Sequence, residues 1–192
     1  GSSYVVFGTT DTSAIELSAV AAGSGGFIIN GQTENDFSGR SVSSAGDVNA
    51  DGLADLIIGA YGADPNGDYS GSSYVVFGTT RTSAIELSAV AAGSGGFVIN
   101  GQAQFHRSGR SVSSGGDVNG DGLADLIVGA YDANAPAGRD AGRSYVVFGS
   151  TSGAFIAGSN FSQLGTAASE AISGTSGNDA IAAGEGNDTI TA

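Results

Sequence analysis

Asp47-Val-Asn-Ala-Asp-Gly-Leu-Ala-Asp55 comes back as Asp117-Val-Asn-Gly-Asp-Gly-Leu-Ala-Asp125, an offset of 70 residues (117 − 47). Each copy places oxygen side chains at loop positions 1, 3, 5 and 9: Asp47, Asn49, Asp51 and Asp55, then Asp117, Asn119, Asp121 and Asp125. Gly52 and Gly122 hold position 6. Leu53 and Leu123 hold position 7, where calcium loops use a main-chain carbonyl. A hard cation such as Ca²⁺ takes about six to eight oxygens at roughly 2.3–2.6 Å. Alternate residues of a tightly curled loop point at one centre, and glycine permits the curl. Acidic turns also use Asp, Asn and Gly, but a chance turn does not repeat four oxygens and a glycine in register. The sequence therefore predicts two calcium sites. An EF-hand closes with Glu at position 12 and sits between helices. Position 12 here is Ile58 or Val128, and the flanks read as strands. Asp55 and Asp125 are the expected closing carboxylates.

The loops belong to a longer repeat. Residues 1–70 and 71–140 are identical at 52 of 70 positions, and Ser-Tyr-Val-Val-Phe-Gly recurs at 3–8, 73–78 and 144–149. A period of this length means supersecondary units that bury surface against their neighbours. One unit reads as four strands, at about 40–46, 54–60, 73–78 and 96–100, designated A to D. The Leu-Ile-Ile run of strand B suits a strand buried on both faces. Between C and D, Ser83 and Glu86 have the spacing of a capping box, with Gly93 as a stop. A short helical turn is expected there, with a brief strand at 85–87 as the alternative. Four antiparallel strands, apolar on both faces, describe a β-propeller blade.

Arg40-Ser-Val, Gly46-Asp-Val-Asn-Ala-Asp-Gly, Asp55-Leu-Ile-Ile-Gly-Ala and Tyr74-Val-Val-Phe-Gly resemble the FG-GAP repeat of integrin α-subunit propellers and bacterial surface proteins. Phe37-Ser-Gly39 and Arg107-Ser-Gly109 stand where that pattern has Phe-Gly, and Gly59-Ala-Tyr61 and Gly129-Ala-Tyr131 stand where it has Gly-Ala-Pro. The calcium loops match fully. The resemblance implies an all-β fold, a partial propeller of four-stranded antiparallel blades over 1–150. The expected parts are a half blade at 1–38, a full blade at 39–108 and most of another at 109–157. It also implies a ligand face opposite the calcium loops. The two copies differ mainly at 33–37 against 103–107 and at 62–70 against 132–140. These are D–A and B–C loops on that opposite side. Asp36, Asp64, Asp68, His106, Arg107 and Arg139 are therefore the expected recognition residues, for a protein or a glycan.

The C-terminal residues read as a second module. Gly174-Thr-Ser-Gly-Asn-Asp-Ala-Ile-Ala182 and Ala183-Gly-Glu-Gly-Asn-Asp-Thr-Ile-Thr191 are consecutive nonapeptides. They resemble the haemolysin-type (RTX) calcium repeat. That resemblance implies the start of a parallel β-roll at 173–192, with Asp179 and Asp188 as metal ligands and Ile181 and Ile190 facing its core. Residues 151–172 are the expected connector.

Composition narrows the function. The net charge is −13 and every basic residue is Arg, which argues against nucleic acid or an anionic membrane as partner. No apolar run approaches the roughly 20 residues of a spanning helix. There is no Cys for a disulfide framework. His106 is the only imidazole, so Ser-His catalysis has one base available, in a loop. No P-loop or dinucleotide fingerprint occurs. With repeat sequence at its first residues and no initiator Met, the chain reads as a segment of a longer protein. The expectation is a non-enzymatic, calcium-stabilised repeat module of a large secreted bacterial protein, in adhesion or surface display, extracellular or on the cell surface. An incomplete propeller would also expose apolar blade faces and self-associate. The alternatives are an accessory module of an exported hydrolase or lyase, and a structural spacer.

Overall fold

The computed structural model describes residues 1–151 and, beyond them, four short strands. Residues Gly1–Thr151 and Ser152–Ala192 form two separate units. In the first unit the strands are β1 (Ser2–Val6), β2 (Gly26–Asn30), β3 (Ser41–Gly46), β4 (Asp55–Ala60), β5 (Ser72–Val76), β6 (Ile85–Glu86), β7 (Gly96–Asn100), β8 (Ser111–Gly116), β9 (Asp125–Ala130) and β10 (Arg143–Val147). Two five-residue helices, α1 (Leu17–Ala21) and α2 (Leu87–Ala91), interrupt them.

The sheets are blades of a partial β-propeller. One complete four-stranded antiparallel sheet runs β3-β4-β5-β7. On one side stands the antiparallel pair β1-β2, and on the other the three-stranded sheet β8-β9-β10. The alternation in strand B is lost because both of its faces are covered. In β4, Ile57, Ile58 and Ala60 are all buried, and β5 is buried along its whole length. The core joins Phe27 and Ile29 of the half blade to Ile58, Ala60, Tyr74, Val76, Leu87 and Val90 of the full blade. Burying a side chain of this size contributes about 1.5–3 kcal/mol, so the blade-to-blade contact carries much of the stability.

The C–D connection differs from the expected capping box. Ile85 and Glu86 are extended and pair in parallel with Ile29 and Asn30 of the preceding blade. That pairing draws the chain out of helical geometry, so the helix starts only at Leu87 and Glu86 occupies the N-cap position without a side-chain cap. The Glu86 carboxylate instead accepts a bond from Asn30 Nδ2 at 2.7 Å. Both readings of the segment thus hold in part, a two-residue strand followed by a single helical turn. The stop at Gly93 is a Schellman motif: Gly93 N–H reaches the Val90 carbonyl and Ser94 N–H the Ala89 carbonyl, both at 2.9 Å, with Gly93 at φ +85.

In the second unit the strands are β11 (Phe161–Leu164), β12 (Ala171–Ser173), β13 (Ala180–Ala182) and β14 (Thr189–Thr191). β11 pairs with β13 and β12 with β14, both in parallel. Gln163 meets Ile181 and Ile172 meets Ile190, so each partner lies 18 residues further on, the length of two nonapeptides. Two of the four strands fall largely in the span read as a connector. Asp179 and Asp188 lie outside the described residues.

Candidate metal centre

Both acidic loops are A–B turns, leading from β3 into β4 and from β8 into β9. In the first, Asp47 accepts bonds from Asp51 N–H at 3.1 Å and Gly52 N–H at 2.9 Å. Asn49 Oδ1 accepts from Asp51 N–H at 3.0 Å, and Asp51 Oδ1 from Leu53 N–H at 2.8 Å. These bonds curl the loop so that the oxygens of positions 1, 3 and 5 turn inward. Gly52, at φ +85, makes the reversal that an L side chain resists. The second loop repeats the pattern through Asp117, Asn119, Asp121 and Leu123, with Gly122 at φ +90.

The ninth position behaves differently from the rest. Asp55 and Asp125 are fully buried. Asp55 Oδ2 accepts from Val48 N–H at 2.9 Å and its Oδ1 from Gly78 N–H at 2.7 Å. Asp125 holds the corresponding Val118 and Gly149 amides at 2.7 and 2.9 Å. Each carboxylate thus ties the start of its loop to the end of strand C. Burial pushes the Asp55 carboxyl above the ordinary range, opposed in part by its two amides, and the negative charges of Asp51 and Asp47 push it further up. The ion pairs among the described residues are Arg107–Asp132 and Arg139–Asp140, so no cationic side chain offsets either loop.

These residues fit a divalent cation. The donor set is that of a hard cation: three carboxylates and one amide oxygen on one loop, with one carboxylate buried at a cost to which the other two add. Asp47, Asn49, Asp51 and Asp55 would hold the ion, with the Leu53 carbonyl, and Asp117, Asn119, Asp121, Asp125 and Leu123 would do so in the second loop. Among the described residues no three acidic, cysteine or histidine side chains are gathered closely enough to hold a metal ion between them. The loop carboxylates are engaged with their own amides: Asp117 Oδ1 accepts from both Gly120 and Asp121 N–H, at 2.7 and 3.1 Å, whereas each Asp47 oxygen accepts one such bond and keeps a second lone pair.

The FG-GAP repeat family matches this chain twice. The matched segments are residues 38–76 and 108–147, and each carries one complete loop. Curated relatives include integrin alpha-E of Mus musculus, 36% identical over 105 residues, and integrin alpha pat-2 of Caenorhabditis briggsae, 34% identical over 99. Integrin alpha-2 of Mus musculus is 34% identical over 92 residues. These alignments cover 48–50% of this chain and 7–8% of each relative, so the chain spans under a tenth of their length.

Glycines of the two matched segments have a mechanical use. Gly39 N–H donates to the Gly59 carbonyl and Gly109 N–H to the Gly129 carbonyl, both at 3.1 Å. Ser41 Oγ then donates to the Gly109 carbonyl of the next blade at 2.8 Å. Sequence reasoning missed the amide donors Gly78 and Gly149. Their signal was present, since each ends a Tyr-Val-Val-Phe-Gly copy.

On the opposite side, the D–A and B–C loops meet. Phe105 N–H donates to the Asp68 carbonyl at 2.8 Å, and Arg107 N–H to the Tyr69 carbonyl at 2.9 Å. The Arg107 guanidinium lies 5.6 Å from the Tyr69 ring centroid and 5.9 Å from that of Tyr131, and pairs with Asp132. Asp64, Asp68 and Arg139 are exposed as expected. Asp36 and His106 are not surface residues: each is 7% exposed. Both occupy the same inward position of the D–A loop, where Asp36 caps the Thr33 amide at 3.1 Å.

Proposed function

We propose that this chain is a calcium-stabilised, non-catalytic FG-GAP module of a secreted bacterial adhesion or surface-display protein, continued by a calcium-binding RTX roll. The buried Asp55 carboxylate carries the reading. It sits beside two more carboxylates of its own loop, with only amide donors against it. Its two amide bonds offset part of the cost of burying that charge, and a cation in the loop would offset the rest. The integrin names of the relatives support an adhesive, extracellular setting. The 18-residue parallel register of the second unit supports a roll built from nonapeptides. Exposed Tyr4, Val6, Val146 and Phe148 on the outermost sheets support self-association.

Thermal melts in calcium and in chelator test the reading. Extracellular calcium modules bind at about 10⁻⁴–10⁻³ M. At ~2 mM Ca²⁺ a site of ~0.1 mM affinity contributes roughly 1.8 kcal/mol by mass action. For a chain of this size that is a rise of about 4–7 °C per site. Superimposable curves would remove the metal from the account.

Recognition belongs, on this reading, to the D–A and B–C face. Asn35, Phe37, Tyr69, Phe105, Arg107 and Asp140 all hold left-handed backbone there, and strain of this kind gathers at functional surfaces. Phe105 is 52% and Tyr131 49% exposed. The double variant Asp68→Ala and Phe105→Ser should lose signal on glycan and peptide arrays at least tenfold. Its calcium-dependent melt should stay within about 0.5 kcal/mol of the parent. An unchanged array pattern would assign these side chains to loop packing alone.

A further inference from the structure

The two acidic loops are joined to each other through the main chain. Ala124 N–H, next to the closing Asp125, donates to the Asp47 carbonyl of the first loop at 3.1 Å. Ser150 N–H donates to the Val48 carbonyl at 3.0 Å. The neighbouring amides complete a circuit. Val48 N–H bonds Asp55, and Gly149 N–H bonds Asp125. The path from one buried carboxylate to the other therefore runs Asp55, the Val48 peptide, the Ser150–Gly149 pair, Asp125. Packing follows the same line. Val48 is fully buried, whereas its counterpart Val118 is 56% exposed. A Cβ on Gly46 would overlap that of Ala124, and one on Gly149 would press on the Val48 carbonyl and Leu123.

We infer that the two loops bind cation cooperatively, coupled through the Asp47–Ala124 and Val48–Ser150 hydrogen bonds. The inference rests on the calcium reading of the loops. Ordering of Asp47 and Val48 by their own loop fixes two carbonyl acceptors. Those acceptors fix the Ala124 and Ser150 amides, which flank the residues that set the position of Asp125. The second loop then starts from an ordered frame and gives up less conformational freedom on binding. By linkage the effect is the same in both directions.

Amide hydrogen exchange along a calcium titration tests this on the whole chain. Val48 and Gly52 report the first loop, and Val118 and Gly122 the second. Asp121→Ala disables the second loop, and Asp51→Ala the first; each side chain bonds only within its own loop. If the loops are coupled, the calcium midpoint at Val48 and Gly52 rises about fivefold or more in Asp121→Ala. The midpoint at Val118 and Gly122 rises by the same factor in Asp51→Ala. Calcium also slows exchange at Ala124 and Ser150 in Asp121→Ala, where only the first loop is intact. Glu16→Gln, which removes an exposed charge of the same sign in the half blade, leaves both midpoints in place. Unmoved midpoints in the two loop variants would overturn cooperativity while leaving calcium binding intact. Absence of calcium-dependent protection in the parent chain would overturn the calcium reading and this inference together.

Discussion

Gly59→Ala should destabilise the propeller by about 3 kcal/mol, while the same change at the repeat-equivalent Gly129 costs under about 1 kcal/mol. A Cβ on Gly59 would overlap the Gly109 carbonyl of the next blade and Ser41 Oγ. The carbonyl cannot rotate away, and it is held by the Ser41 hydroxyl. Relief requires moving one blade against another, which breaks the core that joins them. Overpacking of a tight site costs about 1–3 kcal/mol, and this one adds a part-buried hydrogen bond worth about 1 kcal/mol. At Gly129 the same Cβ would overlap only the Ser111 hydroxyl, which turns aside at little cost, and would make ordinary contact with the Ser111 carbonyl at 3.6 Å. Neither glycine has positive φ, so backbone strain does not enter the comparison. Thermal melts should separate the two variants by about 4–10 °C. Equal losses would mean that the glycine matters for strand conformation and not for the approach of the next blade.

The propeller was legible where the chain repeats a rule, and obscure where a neighbouring blade changes it. Strand positions followed from apolar runs bounded by glycine, because a blade strand is buried on both faces whichever blade it belongs to. The Asp-x-Asn-x-Asp-Gly spacing marked the turns whose side-chain oxygens accept bonds from their own loop's amides. Partners from elsewhere were hidden. Ser83 and Glu86 have the spacing of a cap, yet a two-residue pairing with the previous blade overrides it. Asp36 and His106 differ between the copies and so looked exposed, but variation there reflects two ways of filling one buried position. The donors Gly78 and Gly149 lie 23 and 24 residues from the carboxylates they hold. Ala124 and Ser150 are further still from their acceptors. No local pattern encodes such a distance; only the constancy of Phe-Gly at the end of strand C hinted at it.

Asp55→Ala should be costly in chelator and in calcium alike, whereas Asp51→Ala should be costly in calcium alone. The two residues share a loop and a charge, and only their surroundings differ. Asp55 is fully buried, and its removal leaves the Val48 and Gly78 amides without their acceptor. Hydrogen bonds to a charged group contribute about 1.5–3 kcal/mol each, so the expected loss is about 3–5 kcal/mol whatever the calcium concentration. Against this stands the price of burying a carboxylate beside Asp51 and Asp47. That price falls when Asp55 is protonated, so Asp55→Asn should recover part of the loss in chelator. Asp51 lies on the exposed rim, and its bonds to Leu53 N–H and Asn49 stay within the turn. Its removal should cost under about 1 kcal/mol in chelator and abolish the roughly 1.8 kcal/mol that calcium adds through that loop. Denaturant titrations of both variants, each with and without ~2 mM Ca²⁺, give four numbers. A calcium-independent loss at Asp51 would make it a structural turn residue. A loss at Asp55 confined to calcium would make the buried carboxylate a ligand only, and the clasp between loop and strand C incidental.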